Sequence, residues 1–323
     1  MRMFRSVSLG LVLCVAGVAQ AENVKKYEKY PDDLTPFKKN FPNEYKAFFA
    51  VKDKAKKEGS TRASFKKSMD ILIKVVKKQP NWVDGYWRIS NEAIQYGSTF
   101  NGEKDLPKAR AAFVLARDYS KKCLKIDKDN PLCKFYYGAG IGKIGTVDGI
   151  FASLKFGEQV HDLWTSVLNS KYNHTYYMGG NLQSVARYGL GIYYRVVPDF
   201  FLIRWIFGIS GDIDKSVKYH QEAIALGGAN PSPCYRLMLT ASLLCRSGGE
   251  ANKNDTKQAF NIIKNQIQTS NPKSDNDKIC MKDSSKLLKN PKNGCGYTMA
   301  KQQELDEEKF KEQQEGKPQA STN

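Results

Sequence analysis

Between residues 187 and 205 the chain groups cations with aromatics: Arg187, Tyr188, Tyr193, Tyr194, Arg195, Arg204 and Trp205. A guanidinium grips a carboxylate through two parallel hydrogen bonds, and a tyrosine offers an apolar face with a polar tip. This combination suits an organic-acid ligand held among helices. Scattered surface arginines and core tyrosines would leave the same trace in the sequence. Other chemistries lack their parts. The three histidines, His161, His174 and His220, are far apart in the chain, and no Cys-x-x-Cys occurs, so a zinc site is not expected. There is no Gly-x-Ser-x-Gly and no His-Glu-x-x-His. Gly138-Ala139-Gly140-Ile141-Gly142-Lys143 superficially matches a phosphate loop, but Ile144 stands where Ser or Thr must follow and no strand precedes it. That run reads as helix packing, with Gly138, Gly142 and Gly145 letting another backbone come close. No nucleophile, base and orienter assemble, so neither enzymatic activity nor a cofactor is expected.

The elements that must position these residues read as helices. Asp212 is a good N-cap, Ile213, Val217, His220 and Ile224 follow at helical spacing, and Gly227-Gly228 with Pro231 ends the helix. Ser216, His220 and Ala223 stand where the second helix of a tetratricopeptide repeat carries small, aromatic and small residues, which makes His220 a core imidazole. Ser68, Leu72 and Val75 before Pro80 repeat that layout, and Ala259, Ile263 and Ile267 before Pro272 repeat it again. The spacing exceeds the about 34 residues of a regular repeat, because polar inserts and long helices intervene. The expected fold is all-α, an array of antiparallel helix hairpins built from divergent TPR-like repeats. Helices are predicted over 36–57, 61–78, 82–96, 108–126, 132–144, 151–170, 176–197, 212–226, 234–246 and 255–270. The stretch Asp199–Gly208 is a hydrophobic connector, either core or interface.

The chain opens as a signal peptide over 1–21: Arg2 and Arg5, an apolar run from Val7 to Val18, and Val18-Ala19-Gln20-Ala21 as a small-x-small cleavage site. Leu13 before Cys14 is wrong for a lipobox, so no lipid anchor is expected. Residues 22–35 read as a loosely attached lead-in, 36–272 as the repeat domain, 273–300 as a polar extension, and 301–323 as a charged, partly disordered tail. With 51 Lys and Arg against 33 Asp and Glu, the formal net charge is +18. In an exported chain this points to acidic ligands, an acidic partner or an anionic envelope rather than nucleic acid, and solvated Lys-rich helix faces account for the same charge equally well. After removal of Cys14 an even set of cysteines remains, as disulfides require. Cys123 and Cys133 flank the corner Asp127–Pro131, and Cys280 and Cys295 flank a Lys/Asn/Gly-rich loop, so these two pairs are expected on corner proximity. Cys234 and Cys245 share a helix, about 16 Å apart along its axis, and cannot bond each other.

The segment Tyr176-Tyr177-Met178-Gly179-Gly180, Arg187-Tyr188-Gly189-Leu190-Gly191-Ile192-Tyr193-Tyr194-Arg195-Val196-Val197-Pro198 and Gly211-Asp212-Ile213-Asp214-Lys215-Ser216 resembles the T component of tripartite ATP-independent periplasmic (TRAP) transporters. The resemblance implies an exported, all-helical, TPR-like protein with a central cavity that associates with a substrate-binding component. Two functions follow as expectations: a periplasmic accessory to solute uptake that binds a small organic ligand or that component, or a structural scaffold between envelope proteins. Membrane contact without spanning is compatible with both.

Overall fold

A computed structural model describes residues 27–176, 180–228 and 231–315; the expected signal peptide lies outside them. The described residues are overwhelmingly helical. In chain order the helices are α1 (Thr35–Asn40), α2 (Pro42–Glu58), α3 (Arg62–Lys78), α4 (Val83–Ser98), α5 (Leu106–Ile126), α6 (Pro131–Asp148), α7 (Ile150–Ser153), α8 (Gly157–Asn169) and α9 (Leu182–Val196). They continue as α10 (Phe201–Phe207), α11 (Ile213–Leu226), α12 (Pro233–Arg246), α13 (Asn254–Ile262), α14 (Asp275–Lys289) and α15 (Glu307–Glu315).

Local chemistry sets many of these limits. Asp212 accepts the Lys215 amide at 3.0 Å, and Asn130 accepts the Leu132 and Cys133 amides at 3.1 Å each. Thr61 and Ser64 form a reciprocal capping box. Proline in the first turn of α2, α5, α6 and α12 lacks the amide that would go unused there. Pro42 therefore restarts the helix after Phe41, and the expected single helix over 36–57 is two. The expected helix over 151–170 likewise breaks into α7, a 3₁₀ turn and α8.

Packing follows chain order. α2 to α6 lie each against the next, then α6 against α8, α8 against α9, α9 against α11, and α11 to α13 in succession. Two apolar clusters result. The larger runs from Phe37 through Leu72, Trp87 and Leu132 to Leu190 and Ile203; the smaller gathers Leu237, Leu243, Ile263 and Leu287. Each fully buried side chain of this size contributes roughly 1.5–3 kcal/mol. Ile192 on α9 packs against both clusters.

Several expectations give way. The lead-in is fixed: Glu28–Lys29 pairs in parallel with Tyr172–Asn173, and Tyr30 is buried. The Tyr30 hydroxyl donates to Asp84 Oδ1 at 2.8 Å and accepts from Asn130 Nδ2 at 2.7 Å. Residues 172–173 being strand, the helix expected over 176–197 begins only at Leu182, capped by Asn181. The polar extension contains α14, whose Leu287 enters the smaller cluster. Phe310 on α15 is fully buried against Phe151, Phe200 and Phe207. The hydrophobic connector is itself partly helix α10, with Ile203 inside and Phe201 and Trp205 facing out.

Among the described residues three disulfides form, as suits an oxidising compartment. Cys123 bonds Cys133 across the corner between α5 and α6. The expected Cys280–Cys295 bond does not form: Cys280 bonds Cys234, and Cys295 bonds Cys245. Packing, not sequence proximity, decides this. α14 and the 3₁₀ turn before Cys295 both lie along α12, which presents Cys234 and Cys245 as separate partners.

Candidate functional site

The same helices that build the two clusters enclose a cavity of about 920 Å³. Its wall is largely apolar and includes several aromatic rings: Trp87 from α4, Phe135 and Tyr136 from α6, Trp164 from α8, Tyr188 and Tyr193 from α9. α12 and α14 add Tyr235, Met238 and Asn276. On α9 the lining residues Val185, Tyr188, Gly189, Ile192, Tyr193 and Val196 recur at helical spacing, so one face of that helix is a wall.

Glycines shape the wall around Trp164. A β-carbon at Gly138 would lie 2.8 Å from the Trp164 Nε1, and one at Gly189 would lie 3.2 Å from the indole. Trp164 is thus seated between α6 and α9, with Nε1 donating to the Phe135 carbonyl at 3.2 Å. The close backbone approach expected at Gly138, Gly142 and Gly145 occurs instead at Gly140, whose β-carbon would lie 2.8 Å from the Arg117 backbone.

Of the cationic-aromatic group expected from sequence, the structure brings only Tyr188 and Tyr193 to the cavity. Arg187 turns to Glu222 at 2.9 Å and to the Gln183 carbonyl at 3.1 Å. Tyr194 stacks on Tyr219 at 5.7 Å and meets His161 Nε2 at 3.0 Å. Arg195 is buried, but it donates to the carbonyls of Gly294, Cys295 and Tyr297 at 2.8, 2.9 and 2.7 Å. Burial brings its guanidinium down to about 10, and it serves as a clamp on the C-terminal turn. Arg204 pairs with Asp199 at 2.9 Å on the surface. Trp205 is 73% exposed beside Phe201 at 77%, outside the cavity lining. Residues adjacent in sequence are thus distributed around α9 and onto α10, and they do not share one wall of the cavity.

The charges that do face the cavity lie elsewhere. Lys52 and Glu92 form a buried ion pair, with Glu92 Oε2 left without a partner, and Arg88 pairs with Asp32. Lys143, on α6, lines the cavity with only the Phe113 ring beside its ammonium, 5.7 Å from the centroid. Among the described residues no carboxylate pairs with it. The surrounding protein pushes the Lys143 ammonium down toward about 8, although the residue is only half-buried and keeps some accessible surface at the wall. The sequence did hold a signal: Lys143 is the single charged residue from Phe135 to Val147. It was hidden because its run looked like helix packing, which it also is.

His174 lies at the cavity edge, in contact with Trp87 and Tyr176, and burial holds it well below its ordinary value. His220 is fully buried against Gly191 and Tyr188, as its repeat position implied, and is held lower still by burial and then by the Arg195 charge. Among the described residues no cluster of His, Cys, Asp and Glu could hold a metal, and no helix is long and apolar enough to cross a membrane.

Comparison with protein-family models and with curated proteins finds no match for this chain.

Proposed function

We propose that this protein is an exported, non-enzymatic binding protein whose cavity holds a small organic ligand for a periplasmic solute-uptake system of the TRAP type. The observation that carries this reading is the largely apolar cavity of about 920 Å³, a volume in the range of chambers for drug-sized ligands. The three disulfides support an oxidising compartment. The resemblance of the segment around Tyr188–Pro198 and Gly211–Ser216 to TRAP T components supplies the link to uptake. In this reading a substrate-binding component is the protein partner.

A second reading has its own observation. Phe201, Trp205 and Ile206 expose one apolar side of α10, which suits a protein contact in the envelope and therefore a scaffold. The two readings separate by native mass spectrometry of protein exported by its own cell. A small-molecule adduct, released on denaturation and weakened by Ile192→Trp, which narrows the cavity beside Tyr188, is the result expected of a ligand chamber. An unliganded mass together with a stable protein complex would favour the scaffold.

A further inference from the structure

The cavity has a polar side beside its aromatic rings. On α4, Arg88, Asn91, Gln95 and Ser98 all line it, and their spacing places them on one face of the helix. All four are half-buried, whereas Ile89, Ala93 and Ile94 between them are buried in the packing. The charges on and beside this face cancel in pairs: Arg88 meets Asp32, and Glu92 meets Lys52. What the face leaves over is neutral. Gln95 accepts from Asn276 Nδ2 through its side-chain oxygen at 2.9 Å and its carbonyl at 3.2 Å, and its Nε2 has no acceptor among the described residues. Among the described residues the side chains of Asn91 and Ser98 make no hydrogen bond.

Asn276 ties this polar face to an aromatic pair. Its carbonyl lies 3.4 Å from the Cys234 Sγ, and the next residue, Tyr235, stands 4.6 Å from Tyr188, ring centre to ring centre. Both rings are half-buried and both line the cavity. Burial first, then Tyr176, Glu92 and Tyr235, hold the Tyr136 hydroxyl well above its ordinary value, so Tyr136 lies within electrostatic reach of both α4 and α12.

We propose that the cavity takes a neutral sugar, a pyranose whose hydroxyls bond Asn91, Gln95 and Ser98 and whose apolar face lies on Tyr188 and Tyr235. The proposal rests on the reading of the cavity as a ligand chamber and names the class of ligand. A pyranose carries hydroxyls round its rim and C–H groups on its faces, which matches neutral polar groups on one helix beside aromatic rings on two others. A hydroxyl both donates and accepts, so it can satisfy an amide oxygen, an amide N–H and a serine hydroxyl alike. Tyrosine rings offer apolar surface to the C–H face. With Arg88 and Glu92 already paired, an ionic group on the sugar meets no free counter-charge on this face.

The test is saturation-transfer NMR with glucose, galactose, mannose, xylose, maltose and cellobiose as the neutral set, and glucuronate and galacturonate as the acidic set. Binding of the apolar fluorophore N-phenyl-1-naphthylamine reports on the chamber separately. Wild type should transfer saturation to at least one neutral sugar and less to the uronates. Asn91→Leu with Ser98→Ala removes no hydrogen bond made within the described protein. It should weaken the best neutral sugar about tenfold or more while leaving fluorophore binding and the unliganded unfolding midpoint unchanged. Asn91→Leu alone should weaken the same sugar about threefold or more, which keeps the test decisive if the double variant is unstable. No transfer to the neutral set, uronates preferred over it, or sugar affinity that survives these substitutions would overturn the proposal, and retained fluorophore binding would leave the chamber standing. Failure of wild type to bind both the sugars and the fluorophore would overturn both.

Discussion

A side chain's neighbours, rather than its type, decide whether it can bind anything. Arg195 is buried and donates to three carbonyls, whereas Lys143 is half-buried at the cavity wall and, among the described residues, pairs with no carboxylate. The unfolded chain returns Lys143 to its ordinary 10.5, so the folded state binds this proton less tightly. Because its folded value is lowered to about 8, the penalty is fully present below that pH and is relieved as pH rises toward 10.5. Lys143→Met should therefore stabilise the unliganded protein at pH 7 by about 1–3 kcal/mol, and the gain should shrink between pH 8 and 10.5. Denaturant unfolding of both proteins across that range checks it; a variant no more stable at pH 7 would mean the ammonium reaches water. At Trp205 the expectation is opposite in kind. With 73% of the side chain exposed, Trp205→Ala should shift stability by no more than about 0.5 kcal/mol while abolishing any partner contact made through α10. A large drop in the unfolding midpoint would show that the indole is core.

At the scale of elements, much was legible. The cap at Asp212 is local chemistry, and the helix starts expected at 61, 108, 132, 212 and 234 lie within two residues of those in the structure. Ser216, His220 and Ala223 are buried, as a shared inward face of one helix predicts. What could not be read depends on partners distant in sequence. The pairing of residues 28–29 with 172–173, the docking of Phe310 and the choice of Cys234 for Cys280 each join segments that no local pattern connects. The candidate site failed in part for the same reason. A helix carries its neighbours to different faces, so Arg187 and Tyr194 left the wall on which Tyr188 sits.

Two predictions belong to this scale. Gly138→Ala places a methyl 2.8 Å from the Trp164 ring nitrogen and should cost about 1–3 kcal/mol, with weakened probe binding as the indole shifts. Urea titration and binding of a fluorescent apolar probe measure both; an unperturbed variant would show that Trp164 has room to move. The bonds Cys234–Cys280 and Cys245–Cys295 span sequence separations of 46 and 50 residues, so Cys245→Ser with Cys295→Ser should lower stability by about 2–5 kcal/mol. Peptide mapping without reduction should recover both pairs, and a Cys280–Cys295 peptide would refute the packing of α14 and its following turn on α12.

For the whole molecule, two core histidines are held neutral. His174 is lowered to about 4 and His220 well below 6.5, so the unfolded chain binds protons that the folded chain resists. Both contribute stability above about pH 6.5 that is lost as pH falls through the unfolded value toward 4. The unfolding midpoint should drop over that window, and His220→Gln should flatten the drop; an acid limb unchanged by the substitution would assign it elsewhere. The two apolar clusters meet at Ile192, and the cavity draws walls from both, so loss of either cluster would open the chamber. The central claim is that this chamber is occupied in the cell. The most direct measurement is a crystal structure of protein purified from its own exporting cells without refolding. Elongated density along Trp87, Trp164 and Tyr188 is the result predicted; a cavity holding only water, or collapsed shut, would contradict it.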